Sequence, residues 1–398
     1  MTALVPSPLS RPLALPCGVV LKNRIAKSAM SDSLGDGCGH PTEAQIRLYE
    51  RWAEGGAALS IIGEVQGTPN FAEKPGNLVL HPAAQMSGFE KLATAGASNN
   101  ANLWLQLGHA GAMADAPIST PKGPSALDIP GLACAELTMP EIQNLPAEFA
   151  QTAALAQGLG FGGVEIHAAH GFLLNQFLSP LFNKRNDAYG GSLTNRMRVL
   201  IDVITAVRAA VGPSFPIGLK LNATDQLVGG FEQDEALQVI TALDGIDLID
   251  ISGGTYFPGA PSSSDRVGSG PYFLDFAARA RGKTDIPLMV TGGFKTFDQA
   301  ARAVDDGAAD MIGLARALVI DPDVPNKWVS GDETNPDFPR FSAPPEGGVT
   351  AWYTMQITHI ANGAPPLVAS DLEHAMSDYQ ARDHKRCTLW NNHFGLSK

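Results

Sequence analysis

Gly163-Val164-Glu165-Ile166-His167-Ala168-Ala169-His170-Gly171 is a short apolar run that opens at glycine and closes on two histidines. A strand buried on both faces reads this way, because helices cover a parallel sheet from either side. The run 163–169 is one of eight. The others are 24–30, 58–65, 102–108, 216–222, 248–254, 287–293 and 310–315, and most end at Gly, Ser, His or Asn. Helical patterns lie between them. Thr42-Glu43-Ala44-Gln45 and Thr296-Phe297-Asp298-Gln299 read as capping boxes. Residues 195–211 carry Leu200, Ile201, Ile204 and Val207 on one stripe. Eight βα units predict an α/β protein with a single (β/α)₈ TIM barrel.

Working outward, 13–15 and 19–21 flank Pro16-Cys17-Gly18 and predict a hairpin that caps the barrel's N-terminal end. The stretch 109–139, rich in Ala, Gly and Pro, is long for a connection after a third strand. Long loops are usually functional, so it is read as a lid. Residues 332–345 read as loop, and Trp352-Tyr353 lie in a helical pattern to Ala361.

Composition narrows the class. The chain has 398 residues, 44% hydrophobic and 17% charged, enough apolar material for a large core. Pro6, Pro8, Pro12 and Pro16 break any signal-peptide core, and no window is apolar enough to span a membrane. Cys17, Cys38, Cys134 and Cys387 form no CxxC pair, which argues against zinc ribbons and iron–sulfur clusters and for free thiols in the cytoplasm. A net charge of −12 disfavours nucleic acid as a partner. Association into a homo-oligomer is compatible with everything here.

Barrel enzymes work at the C-terminal ends of their strands. Gly292-Gly293 after strand seven offers backbone N–H groups to a phosphate, and Arg316, beyond Ala315, offers a guanidinium; the alternative is two tight turns and a surface arginine. His167 and His170 could bind a metal, act as acid–base groups, donate to a carbonyl oxygen, or be structural; no further ligand is close in sequence, so no metal is expected. Lys220 sits inside the apolar run Ile217-Gly218-Leu219-Lys220-Leu221 and needs a counter-charge. It could face an anionic flavin, make a core salt bridge, or form the Schiff base of a lyase.

Together these strand ends resemble the old yellow enzyme family of FMN-dependent ene-reductases and NADH:flavin oxidoreductases. The match is carried by Leu21-Lys22-Asn23-Arg24-Ile25, by Gln106-Leu107-Gly108-His109-Ala110-Gly111, and by 163–173 continuing through Gln176-Phe177-Leu178-Ser179-Pro180 and Asp187-Ala188-Tyr189-Gly190-Gly191-Ser192. It runs from about Pro12 to Ala361. The resemblance implies FMN with NADH or NADPH as co-substrate, a small-molecule substrate and ping-pong hydride transfer. It implies a barrel over 1–362 followed by an extension over 363–398. Ser28, Ala29 and Ser31 would line the flavin, and Gly63, Glu64 and Gln106 would meet its pyrimidine edge. Lys220 would face N1 and O2. Gly292, Gly293, Ala315 and Arg316 would hold the phosphate, with Gly253 a further contact. His167 and His170 would bind the substrate oxygen, and Phe172 and Tyr256 would line its pocket. The lyase becomes the alternative. Three positions depart from the family pattern: Phe172 where a proton-donating tyrosine is usual, Ser31 where Cys or Thr is common, and Ala112 where the third-strand motif commonly ends in arginine.

Overall fold

The computed structural model describes residues 7–258, 260 and 270–395; Pro6 lies outside them. Eight parallel strands close on themselves. They are β1 (Ile25–Met30), β2 (Leu59–Gln66), β3 (Asn102–Gly108), β4 (Gly163–Ala168), β5 (Ile217–Asn222), β6 (Leu248–Ser252), β7 (Leu288–Thr291) and β8 (Met311–Leu314). Each pairs with its neighbour in sequence, and β8 returns to β1, so the sheet has no edge among these strands. Helices α1 (Glu43–Glu54), α2 (Met86–Gly96), α3 (Met139–Gly158), α4 (Arg198–Val211), α5 (Gln233–Ala242), α6 (Leu274–Arg281), α7 (Phe297–Asp305) and α8 (Gly348–Ala361) follow the strands in turn. The architecture is a (β/α)₈ barrel.

Its interior is layered. Leu13–Ala14 and Val20–Leu21 pair antiparallel, and Leu13, Leu15 and Leu21 plug the N-terminal end against Leu248, Met289, Met311 and Trp104. Trp104 fits because its neighbours on β4 and β5 are glycines: a Cβ at Gly163 would meet the indole at 2.6 Å. Above this apolar layer the register lines up polar residues: Gln106 opposite Glu165, His167 opposite Lys220, and Lys220 opposite Asp250.

Local chemistry departs from the sequence reading in four places. Thr42 and Thr296 cap α1 and α7, but neither box is complete. Gln45 turns to Asp32, and Gln299 accepts from the Lys295 N–H. The stripe 195–211 is broken at Met197 into a four-residue helix and α4. The stretch 109–139 is not structureless: Lys122–Gly123, Leu127–Ile129 and Leu132–Glu136 form a small sheet. Finally, α9 (Leu372–Phe394) follows the barrel and packs on the segments after β2 and β3. Trp390 packs on Ala72, Val79 and Ile118, and the Asn391 amide donates to Pro117 O at 2.9 Å. Among the described residues, no helix is long and apolar enough to cross a membrane.

Candidate active site

The polar layer is one network. Lys220 is 1% exposed and contacts Asp250 closely, Ser28 Oγ at 3.3 Å and Glu165 Oε1 at 3.6 Å. Thr291 donates to Asp250 at 2.6 Å and meets Ser28 at 3.1 Å. Gln106 donates to Glu165 at 2.6 Å. Burial alone would lower the lysine, but Asp250 and Glu165 outweigh it and hold the ammonium above its ordinary range. Burial pushes the Glu165 carboxyl up to about 7. An ammonium held this way lacks the free pair that a Schiff base needs, which argues against the lyase.

The mouth lies above this layer. His167 Nδ1 accepts the Ala169 N–H at 3.2 Å, so the proton sits on Nε2, which stands 3.3 Å from Glu64 Oε1. His170 Nε2 lies 2.8 Å from Ser252 Oγ, and its backbone N–H donates to Asn222 at 3.1 Å. Burial, reinforced by the neighbouring charge, keeps both rings neutral: His167 falls well below the ordinary histidine range and His170 falls to about 3. Glu64 and His170 both have left-handed backbones (φ 59° and 61°), a cost that non-glycine residues carry only where the surroundings hold them. At Glu64 the holder is a bulge in β2. Gly63 lets it form, since a Cβ there would lie 2.4 Å from Met30 O. Burial, with Glu73 nearby, raises the Glu64 carboxyl well above its usual range.

The rings form a wall. His167 and His170 meet edge-on at 5.2 Å, Phe172 packs on His167 at 5.0 Å, and Tyr256 stands 5.9 Å from Phe172 and 6.2 Å from His170. Gly253 precedes Tyr256 on the loop after β6, and Ala29 and Ser31 are half-buried around the end of β1. On the other side of the mouth, Gly292 (φ 109°) and Gly293 (φ 86°) follow β7. A Cβ at Gly293 would meet Gly270 O at 2.3 Å, so the turn needs glycine. Ala315 and Arg316 follow the adjacent β8, and the guanidinium lies 4.8 Å over the Tyr353 ring.

Several members of this network are not evident in the sequence reading: Glu165, Asp250, Ser252, Asn222, Thr291 and the side chain of Glu64. Asp250 has a legible signal, a lone acid inside the apolar run 248–252 and so a counter-charge for Lys220. Lys27 is also buried, with Nζ 4.4 Å over the Trp52 ring and donating to Ser28 O at 2.8 Å. It faces α1 rather than the barrel axis.

The sequence matches the model of the NADH:flavin oxidoreductase / NADH oxidase family over residues 8–335. The chain belongs to this family. It is 33% identical over 375 residues to the NADH-dependent flavin oxidoreductase iliE of Hypocrea jecorina, an alignment covering 84% of this chain and 93% of that one. Among solved structures it resembles the old yellow enzyme homologue of Zymomonas mobilis, with TM-score 0.71, 25% identity, and coverage of 87% and 98% of the two chains. It also resembles morphinone reductase in complex with tetrahydroNAD, with TM-score 0.69, 25% identity, and coverage of 83% and 92%. As a member of the NADH:flavin oxidoreductase family, the protein is an NAD(P)H-dependent flavin oxidoreductase with FMN as cofactor. The residues present fit FMN: a two-glycine turn beside an arginine suits one terminal phosphate, and a fixed ammonium among polar side chains suits the heteroatom edge of the ring.

Proposed function

We propose that this enzyme passes a hydride from NADH or NADPH, by way of FMN, to an activated alkene or related electrophile such as an enone, quinone or nitro compound. The observation that carries this reading is the wall of two neutral imidazoles, His167 buried and His170 half-buried, with two aromatic rings, standing over the Lys220 network. Bound FMN supplies two-electron chemistry, accepting from a nicotinamide and giving to the second substrate.

The protein's own residues do the rest. Gly292, Gly293, Ala315 and Arg316 would hold the phosphate. Ser28, Ala29, Ser31, Gly63, Gly253, the Glu64 backbone and Gln106 would meet the ring, and Lys220 would offset the negative charge of its reduced form. His167 would offer its Nε2–H to the substrate oxygen in exchange for Glu64 Oε1, its present neighbour at 3.3 Å. With the Ser252 hydroxyl donating to His170 Nε2, that ring's Nδ1–H would be free to do the same. Neutral donors suit this task, because they polarise a carbonyl as charge develops without binding a permanent anion too tightly. Phe172 and Tyr256 would flank the ligand.

The test is anaerobic. The FMN-loaded protein is reduced with NADH and, separately, with NADPH, then mixed with cyclohexenone, a quinone or a nitroarene. Rapid reoxidation by at least one electrophile is expected. Reduced enzyme that only dioxygen reoxidises would contradict the reading.

A further inference from the structure

We propose that Tyr256 donates the proton that completes alkene reduction in this enzyme. The inference rests on the function proposed above and concerns only the second half of its reaction. Reduction of an enone requires two hydrogens of different kinds. The β-carbon gains a hydride equivalent from the reduced cofactor, and the electron pair of the C=C bond shifts toward the carbonyl oxygen. That pair then closes on a proton at the α-carbon. If the proton comes from a phenol, a phenolate is left behind and must regain a proton from water. Cofactor and protein are then restored, and no other reactant is needed.

The wall of rings narrows the source. Phe172 has no proton to give. His170, with a pKa pushed down to about 3, is neutral at working pH, and so is His167; a neutral imidazole is a good hydrogen-bond donor but a very weak acid. Lys220 lies below, tied to Asp250 and Glu165. Glu64 is 4% exposed and stands 3.3 Å from His167 Nε2, so solvent cannot return a proton to it in every turnover. Tyr256 remains, its ring against both Phe172 and His170.

Its position is fixed by backbone as well as by packing. The Tyr256 N–H donates to His170 O at 3.1 Å, and Thr255 pairs with His170 in an isolated parallel bridge. The loop after β6 is therefore stitched to the mouth of β4. The α-carbon is one bond from the carbonyl carbon, so a donor beside the oxygen-binding pair is beside the α-carbon too. At 64% exposure, the phenol also meets solvent and can be reprotonated in every turnover. Desolvation, with Glu73 and Glu64 nearby, holds the Tyr256 phenol above its ordinary range, so it keeps its proton at neutral pH.

The experiment uses the FMN-loaded enzyme, reduced by its nicotinamide and followed through one oxidation by cyclohexenone or by benzoquinone. Quinone reduction needs no proton at carbon. In Tyr256→Phe the enone step is expected to fall by roughly 10²-fold or more, the usual contribution of a general acid. Cofactor reduction and quinone oxidation, which place no proton on carbon, should fall far less than the enone step. Adding Phe172→Tyr to that variant should restore the enone step, with its solvent deuterium isotope effect. An enone rate equal in parent and Tyr256→Phe, fast or slow, would overturn the proposal. So would an equal loss with quinone, which would mark a structural role, or a loss on Glu64→Gln without one on Tyr256→Phe. Failure of the function itself has a separate signature: a parent that no electrophile reoxidises.

Discussion

The two ends of one barrel are built by opposite rules. At the N-terminal end, Leu13, Leu15 and Leu21 close on Trp104, Leu248, Met289 and Met311. That layer is apolar, and two glycines make room for its largest ring. At the other end, two residues further along the same strands, Gln106, Glu165, Lys220, Asp250 and Thr291 fill the axis with hydrogen-bonded polar groups. Above them Glu64 and His170 hold strained backbones. The hydrophobic end gains stability from area removed from water, while the polar end gives some up to keep charges and dipoles in fixed places. Substitutions at the two ends should therefore fail differently.

The largest effect is expected at Lys220. Lys220→Met leaves Asp250 and Glu165 buried without their cation, a loss of about 3–5 kcal/mol. It should be larger at pH 8.5 than at pH 6, because the Glu165 carboxyl, pushed up to about 7, ionises between them, and FMN affinity should fall with it. Thermal unfolding and cofactor titration at pH 6 and pH 8.5 check this. Equal stability at both would mean that the lysine is not balancing carboxylates.

Leu248→Ala sharpens the contrast. A fully buried leucine cut back to alanine costs about 2–5 kcal/mol, so the melting temperature should drop clearly. Flavin spectrum and ligand affinity should be unchanged, because only apolar neighbours are lost. A parallel loss of cofactor binding would show that the two ends are coupled.

The smallest effect is an acid limb. His170 titrates at about 3 in the folded protein and near 6.5 unfolded, so below about pH 6.5 the unfolded chain takes up a proton that the folded one refuses. Its folded pKa is depressed, so stability is lost as pH falls from about 6.5 toward 3, by up to about 1.4 kcal/mol per unit. His170→Asn should flatten that limb in denaturant titrations between pH 6.5 and 4. An unchanged slope would put the ring in contact with solvent.

The contrast also explains what could be read in advance. Eight strands were legible because burial on both faces leaves an unbroken apolar run, and the hairpin because Pro16-Cys17-Gly18 interrupts two such runs. The helix α9 was not, since it buries only Leu372, Ala375 and Trp390, and they make no stripe. Gln45 and Gln299 have the sequence of capping boxes, but long-range or local competitors took their side chains. The strand ends that the motifs single out do gather at one mouth. What joins them was hidden: Glu165 and Asp250 become partners of Lys220 only through strand register, which spans residues far apart in the chain. Glu64 looks like an ordinary strand residue until the bulge at Gly63 turns it inward to His167.

The central claim is that the polar end binds the electrophile's oxygen through the histidine pair, above FMN. Phenols test it without turnover, because a phenolate held over oxidised flavin gives a long-wavelength charge-transfer band. The FMN-loaded parent, His167→Ala, His170→Ala and Leu248→Ala proteins would each be titrated with one phenol. The account predicts the band in the parent and in Leu248→Ala with the same Kd. It predicts roughly ten- to hundred-fold weaker binding in each histidine variant, about 1.5–3 kcal/mol for a lost donor to an anion, with FMN still bound. Phenol binding unchanged in both histidine variants would contradict it.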